Sequence, residues 1–181
     1  MLNPRHRQSG ISLAEVMIAV AIIGVLMALG MPAFQSWIQN TQIRVASDAI
    51  MNGLQTARNE AIRRNTAVQF RLDGGANSQW RVNLFIDPDG TPIQSRAAEE
   101  GSANASVVFV PAGADTVTFS ALGRVVPNAD ASPSLTRVTI DNLLIPVVAD
   151  RRTLQIDIPA GGALRMCDPK VVAVGDPRIC F

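Results

Sequence analysis

The sequence predicts an α+β protein in which one long N-terminal helix packs on an antiparallel β domain. Three observations predict it. Ile11 to Leu29 is an almost unbroken apolar run. Apolar residues then recur every three or four positions as far as Ala61, the period of an amphipathic helix. After Asn65 the period switches to two, in short segments separated by Gly, Pro, Asn and Asp, which is the pattern of strands joined by turns. A helix followed by a run of strands points to α+β rather than to alternating βαβ units.

The elements follow in order. Residues 1–10 form a short polar leader that carries Arg5, His6 and Arg7 and ends in Gly10. Ile11-Ser12-Leu13-Ala14-Glu15 opens the apolar run, an order that suggests trimming between Gly10 and Ile11 with the helix retained. About 20 apolar residues suffice to cross a bilayer. Glu15 is the one charge in that run, and a charge there costs several kcal/mol unless something neutralises it, so it marks a function. Beyond Pro32, the residues Ala46, Ile50, Gly53, Leu54, Ala57 and Ala61 form an apolar stripe. Arg44/Asp48 and Glu60/Arg64 are i,i+4 pairs on the polar side. One helix is therefore expected from about Ser12 to Asn65, bent near Pro32. Arg58, Arg63 and Arg64 give it a basic end, read as a solvated face.

Strands are expected at Ala67–Asp73 and Gln79–Ile86, joined through Gly74-Gly75-Ala76-Asn77-Ser78. Asp87-Pro88-Asp89-Gly90 reads as a turn; it lacks the third acidic ligand and the distal Glu of a calcium loop. Residues 91–106 read as a variable surface loop. Further strands are expected at Val107–Val110, Thr116–Phe119, Thr136–Ile140, Leu144–Val148, Thr153–Ile158 and Ala163–Cys167.

Composition bounds the function. Of 181 residues, the roughly 150 beyond the apolar run fit one domain with its own core. The formal net charge is +1, and loss of residues 1–10 leaves 14 basic and 15 acidic side chains. Nucleic-acid binding would then need a local cationic patch. The region from Arg151 onward holds Arg151, Arg152, Arg165, Lys170 and Arg178 with three Asp, and is the place for one. No aromatic platform for stacking single strands accompanies it, since Phe181 is the only aromatic there. No catalytic constellation is found. The one His lies in the leader, two Cys without His are too few for a structural zinc site, no Gly-rich phosphate loop follows a strand, and no base stands beside a nucleophile. No enzyme activity, metal or cofactor is expected. Cys167 and Cys180 are the only cysteines. In a chain whose domain is exported, such a pair favours a disulfide over two free buried thiols, worth about 3 kcal/mol in the chain-entropy picture.

The N-terminus has three readings. A secretory signal also begins basic and then apolar, and Ala28-Leu29-Gly30 has the small residues of a cleavage site. A plain membrane anchor would keep the Arg/His flank cytoplasmic. Neither explains Glu15 or Gly10. The third reading explains both: the segment resembles the class III leader of type IV pilin-like proteins. That resemblance implies cleavage after Gly10 by a prepilin peptidase and N-methylation of Ile11. It also places Glu15, Gly24 and Pro32 where the family has its assembly Glu, its helix Gly and its helix-kinking Pro. The chain departs from the family pattern in having Ile11 for the usual Phe and Ser12-Leu13-Ala14 for Thr-Leu-Ile/Val.

The body of the chain narrows this. Leu54–Asn65, Val117–Arg124 and Gly162–Cys167 resemble segments of the GspH/FimT family of pseudopilins and minor pilins. The resemblance implies a pilin-like fold with a leader (1–10), a membrane or filament-core helix (11–33) and a periplasmic domain (34–181, with amphipathic helix 34–65 and β domain 66–181). It implies a structural subunit of a type IV pilus or of a type II secretion pseudopilus, stored in the inner membrane as a single-pass protein and then packed into a filament. Its partners would be the prepilin peptidase, other major and minor pilins or pseudopilins, and the inner membrane. The Glu15 carboxylate would meet the free amine of Ile11 on a neighbouring subunit, a head-to-tail contact of the kind that builds filaments. Some family members are implicated in DNA uptake through a Gly-Arg-x-Arg element. Here that place reads Gly162-Ala163-Leu164-Arg165, so a DNA-binding subunit and a membrane-anchored binding module stand as the alternatives.

Overall fold

A computed structural model describes residues 12–180 of the chain. Its α-helix, α1, covers Leu13–Arg64 and runs through Pro32 without interruption, although Pro32 has no N–H to give to the carbonyl of Ala28. The chain divides into two compact units, one ending at Gln35 and one from Ser36 onward.

In the first unit α1 is apolar on all sides. It is the one described helix long and apolar enough to cross a membrane, with a mean hydropathy of 2.5 over 18 residues and none of that window buried. Ser12 caps it: the Ser12 Oγ accepts the Glu15 N–H at 3.2 Å, satisfying one of the N–H groups a helix start leaves open.

In the second unit α1 buries one stripe. Ile43, Ala46, Ile50, Leu54, Ala57 and Ala61 are fully buried, at the spacing that keeps one helix face turned to the core. Small residues at 46, 53, 57 and 61 let the helix lie close to the sheet. Gly53 makes the closest approach, since a Cβ there would stand 2.7 Å from the Phe70 ring and 2.9 Å from Trp80. The helix ends in a Schellman turn. Asn65 takes φ +50°, the Thr66 N–H bonds to the Ala61 carbonyl at 3.2 Å and the Asn65 N–H to Ile62 at 3.2 Å, and an Asn tolerates that left-handed position better than most residues.

Among the described residues, nine strands form two antiparallel sheets. The first holds β1 (Val68–Leu72), β2 (Trp80–Leu84), β3 (Gln94–Arg96), β5 (Thr116–Phe119) and β6 (Val125–Val126), in the order β3-β2-β1-β5-β6. The second holds β4 (Ser106–Val110), β7 (Arg137–Asp141), β8 (Leu154–Asp157) and β9 (Arg165–Cys167), in the order β4-β7-β8-β9. Phe70 faces Val82 on β2 and Val117 on β5, so the centre of the first sheet lies in the core. Phe70 and Trp80 stack obliquely with ring centroids 5.8 Å apart. Asn128 holds the crossover between the sheets. Its buried amide accepts the Thr118 hydroxyl at 3.0 Å and reaches the carbonyls of Thr116 and Ser132, both at 3.2 Å.

The second sheet is separate because β4 pairs with β7 instead of extending the first. Two expectations need correction. Leu144–Val148 is not a strand. Pro146 interrupts its donors, the Leu144 N–H turns to the Asn142 side chain, the Ile145 carbonyl accepts Arg151, and a 3-10 turn follows at Val148–Asp150. Residues 91–106 are not irregular throughout, since β3 lies inside them. That strand is exposed and polar and so carries no alternation to read.

Candidate functional site

The first unit places the predicted assembly residues on one helix with no core to serve. Leu13 is 81% exposed and Leu29 74%. Glu15 lies in the first turn of α1, where a carboxylate also complements the helix dipole. A Cβ added at Gly24 or Gly30 would meet nothing within 4 Å. Glycine costs about 1 kcal/mol relative to Ala inside a helix, and no contact among the described residues requires it at either position. Gly10 and Ile11 lie outside the described residues.

Where the second unit begins, a run of amides grips two loops. Gln39 Oε1 accepts Asn142 Nδ2 at 2.8 Å and Asn104 Nδ2 at 3.3 Å. Gln42 Oε1 accepts the Asn104 N–H at 3.1 Å. Asn40 accepts the Arg152 N–H at 2.8 Å and donates to the Asp150 carbonyl at 2.9 Å. Sequence reasoning missed this clamp. Its signal was the polar tetrad Gln39-Asn40-Thr41-Gln42, which interrupts the apolar stripe. Ser78 and Ser102 add a buried hydroxyl pair at 2.8 Å, so the 91–106 segment is packed at its end.

Three segments singled out in the sequence meet at one point. Arg58 Nε donates to the Gly123 carbonyl at 3.1 Å. Gly123 and Gly162 both take positive φ, +70° and +76°. A Cβ at Gly162 would overlap the Gly123 carbonyl oxygen, and one at Gly123 would stand 3.0 Å from Arg58 Nε. Arg58 is thus an anchor between helix and turns rather than a solvated charge. Arg63 and Arg64 clasp Glu60 and hold its carboxyl below the usual range.

At the C-terminal end Cys167 and Cys180 are joined by a disulfide. Four of the five basic residues there serve structural tasks. Arg151 donates to the Ile145 carbonyl at 2.7 Å and pairs with Asp141 at 3.4 Å. Lys170 Nζ caps the carbonyls of Val148 and Arg151 at 2.9 and 2.6 Å. Arg165 bonds the carbonyls of Pro177 and Ile179. Arg178 pairs with Asp176 at 2.8 Å and pulls the Asp176 carboxyl down to about 2. Arg152 is exposed. A phosphate would compete with these internal partners for four of the five cations. At the Asp87–Gly90 turn, Asp89 faces Arg71 and Arg81 at 3.6 and 3.3 Å, and burial raises the neighbouring Asp73 carboxyl despite Arg81 and Arg71.

Residues 46–162 match the family described as Type II transport protein GspH. The chain belongs to that family. Residues 5–31 match the prokaryotic N-terminal methylation motif, the stretch that holds Gly10, Ile11, Glu15 and Gly24. Among curated relatives, the type IV major fimbrial protein FimA of Dichelobacter nodosus is 32% identical over 114 residues, 60% of this chain and 65% of that one. A fimbrial protein of Moraxella nonliquefaciens is 42% identical over 52 residues, 29% of this chain and 33% of that one. The chain thus spans less than two thirds of the length of these relatives. The type IV minor pilin FimU of Pseudomonas aeruginosa has the same fold. One crystal form matches with TM-score 0.50 at 14% identity over 68% of this chain and 90% of that one. A second matches with TM-score 0.51 at 15% identity over 72% and 91%. The GspH-family protein therefore has the pilin-like architecture expected from its sequence, a long N-terminal helix packed on antiparallel sheets.

Proposed function

We propose that this GspH-family protein is a structural minor pilin or pseudopilin that takes part in building a type IV pilus or a type II secretion pseudopilus. The observation that carries the reading is the first unit of α1: an apolar helix with none of its window buried, holding one carboxylate in its first turn. Such a surface needs an apolar surrounding, and a bilayer and a bundle of like helices both supply one. The glycines at 24 and 30, which no contact among the described residues demands, suit close helix–helix approach.

In this reading residues 1–10 are the leader, 11–33 the membrane and filament-core segment, and 34–181 the periplasmic domain. Prepilin peptidase cuts after Gly10 and Ile11 is methylated. The helix waits in the inner membrane, then leaves it to pack against those of other pilins or pseudopilins. Glu15 meets the amine of Ile11 on a neighbour, because a carboxylate in apolar surroundings requires a cation. Apolar packing supplies cohesion and the charge pair supplies register.

Intact-mass and N-terminal peptide measurements on protein from membranes test the processing step. The expected chain begins at methylated Ile11. A chain that begins at Met1 or Met31 would contradict it.

A further inference from the structure

Between β7 and β8 the chain exposes Leu143, Leu144, Val147 and Val148, each more than half accessible, from 52 to 67%. Both ends of this segment are fastened to the same turn of α1. Asn142, fully buried, donates to Gln39 Oε1 at 2.8 Å. Asp150 and Arg152 are held by Asn40 at 2.9 and 2.8 Å. The loop is built on its inner side too, since Asn142 Oδ1 accepts the Leu144 N–H at 3.0 Å and Arg151 holds the Ile145 carbonyl at 2.7 Å. Four apolar side chains are thus presented to solvent by a well-bonded scaffold.

Where the scaffold sits says what they meet. Gln39 and Asn40 lie in the first turns after Gln35, where the second unit begins. Whatever angle the helix takes, Asn40 is no more than about 18 Å of extended chain from Gln35. Trp37, in the same turn of α1, is 63% exposed, and Trp favours the boundary between lipid and water. Charges of both signs lie alongside. Lys170 Nζ caps the carbonyls of Val148 and Arg151 and Arg152 follows directly in the chain, while Asp150 ends the loop and Asp168 accepts the Lys170 N–H. An apolar tip over a base of mixed charge, beside an exposed Trp, matches the acyl–headgroup boundary of a bilayer.

We propose that the 143–148 loop is a second membrane contact, which enters the bilayer interface while the subunit is stored there. This rests on the membrane reading of the proposed function. Leu143, Leu144, Val147 and Val148 sit at the acyl–headgroup boundary, and Lys170 and Arg152 lie level with the lipid phosphates. The Gln39–Asn40 clamp ties the loop to the start of the second unit. Incorporation into a filament withdraws the loop from lipid together with the helix.

Full-length protein in lipid nanodiscs that contain phosphatidylglycerol with brominated acyl chains tests this. Bromine quenches a Trp only on close approach. Two variants are compared, both carrying Trp37→Phe: one with Val147→Trp and one with Leu122→Trp. Leu122 is 80% exposed and adjoins Gly123, which is bonded to Arg58, roughly 30 Å along the helix from Asn40. Trp80 is buried and is common to both variants. The expected result is loss of roughly half the Val147→Trp emission, with the Leu122→Trp emission unchanged. Unquenched Val147→Trp emission in discs that hold the protein overturns the inference. A blue-shifted but unquenched signal does so as well, by assigning the loop to a neighbouring protein. Failure of the chain to enter discs at all contradicts the membrane reading itself, and is told apart by the absence of protein from the disc fraction.

Discussion

Gly53 is where helix and sheet come closest, and the two consequences of its missing side chain oppose each other. An Ala at this position would gain about 1 kcal/mol of helix propensity. The added Cβ would press on Phe70 at 2.7 Å and Trp80 at 2.9 Å, two buried rings, and such overpacking costs about 1–3 kcal/mol or more. Overpacking wins, so Gly53→Ala is expected to lower the denaturant midpoint of the full-length protein with no change in slope. Asp176 offers a test by pH. Its folded value of about 2 lies below the unperturbed 3.8, chiefly through the Arg178 hydrogen bond. The stabilisation it lends is complete above the unfolded value and is lost as pH falls through about 2. An NMR titration should show that midpoint, and Arg178→Ala should return it toward 3.8.

At the scale of elements, the C-terminal segment depends on its crosslink. Between Cys167 and Cys180 the chain has turns but no strand, and the bridge spans a sequence separation of 13. Replacing both cysteines with Ser should cost about 3 kcal/mol and speed hydrogen exchange in residues 168–180 ahead of the sheets. Much at this scale was legible in the sequence. The helix face from Ala46 to Ala61 carries a strong period because that face is buried, and the strands at 68–72, 80–84 and 116–119 do so because apolar and polar residues alternate along them. β3 was illegible because its three side chains are all polar, so nothing alternates. Leu144–Val148 misled for the opposite reason: Leu144, Val147 and Val148 face outward around Pro146, and Ile145 alone of its apolar residues is buried. The clamp of Gln39, Asn40 and Gln42 was missed because amides that serve packing look in sequence like amides that serve solvent. The Arg58–Gly123–Gly162 junction was present as three separate segments, and only the fold shows that they meet.

At the scale of the whole molecule, the two units answer to different surroundings. The second unit closes its own core. The first has no core among the described residues, and in the proposed reading it depends on lipid or on other helices. Glu15 was legible as the odd charge in an apolar run, and its proposed role needs a second copy or a sister subunit, which no single chain displays. Removing one partner of a buried ion pair costs about 3–5 kcal/mol, enough to displace a subunit from a filament, while the second unit, which does not contain Glu15, should fold unchanged. The most direct measurement is therefore the amount of Glu15→Ala protein recovered in sheared filaments relative to wild type, at equal membrane levels. The account predicts at least a tenfold loss, with Glu15→Gln only partly restoring incorporation. Filaments that contain the Glu15→Ala subunit at the wild-type level would contradict it.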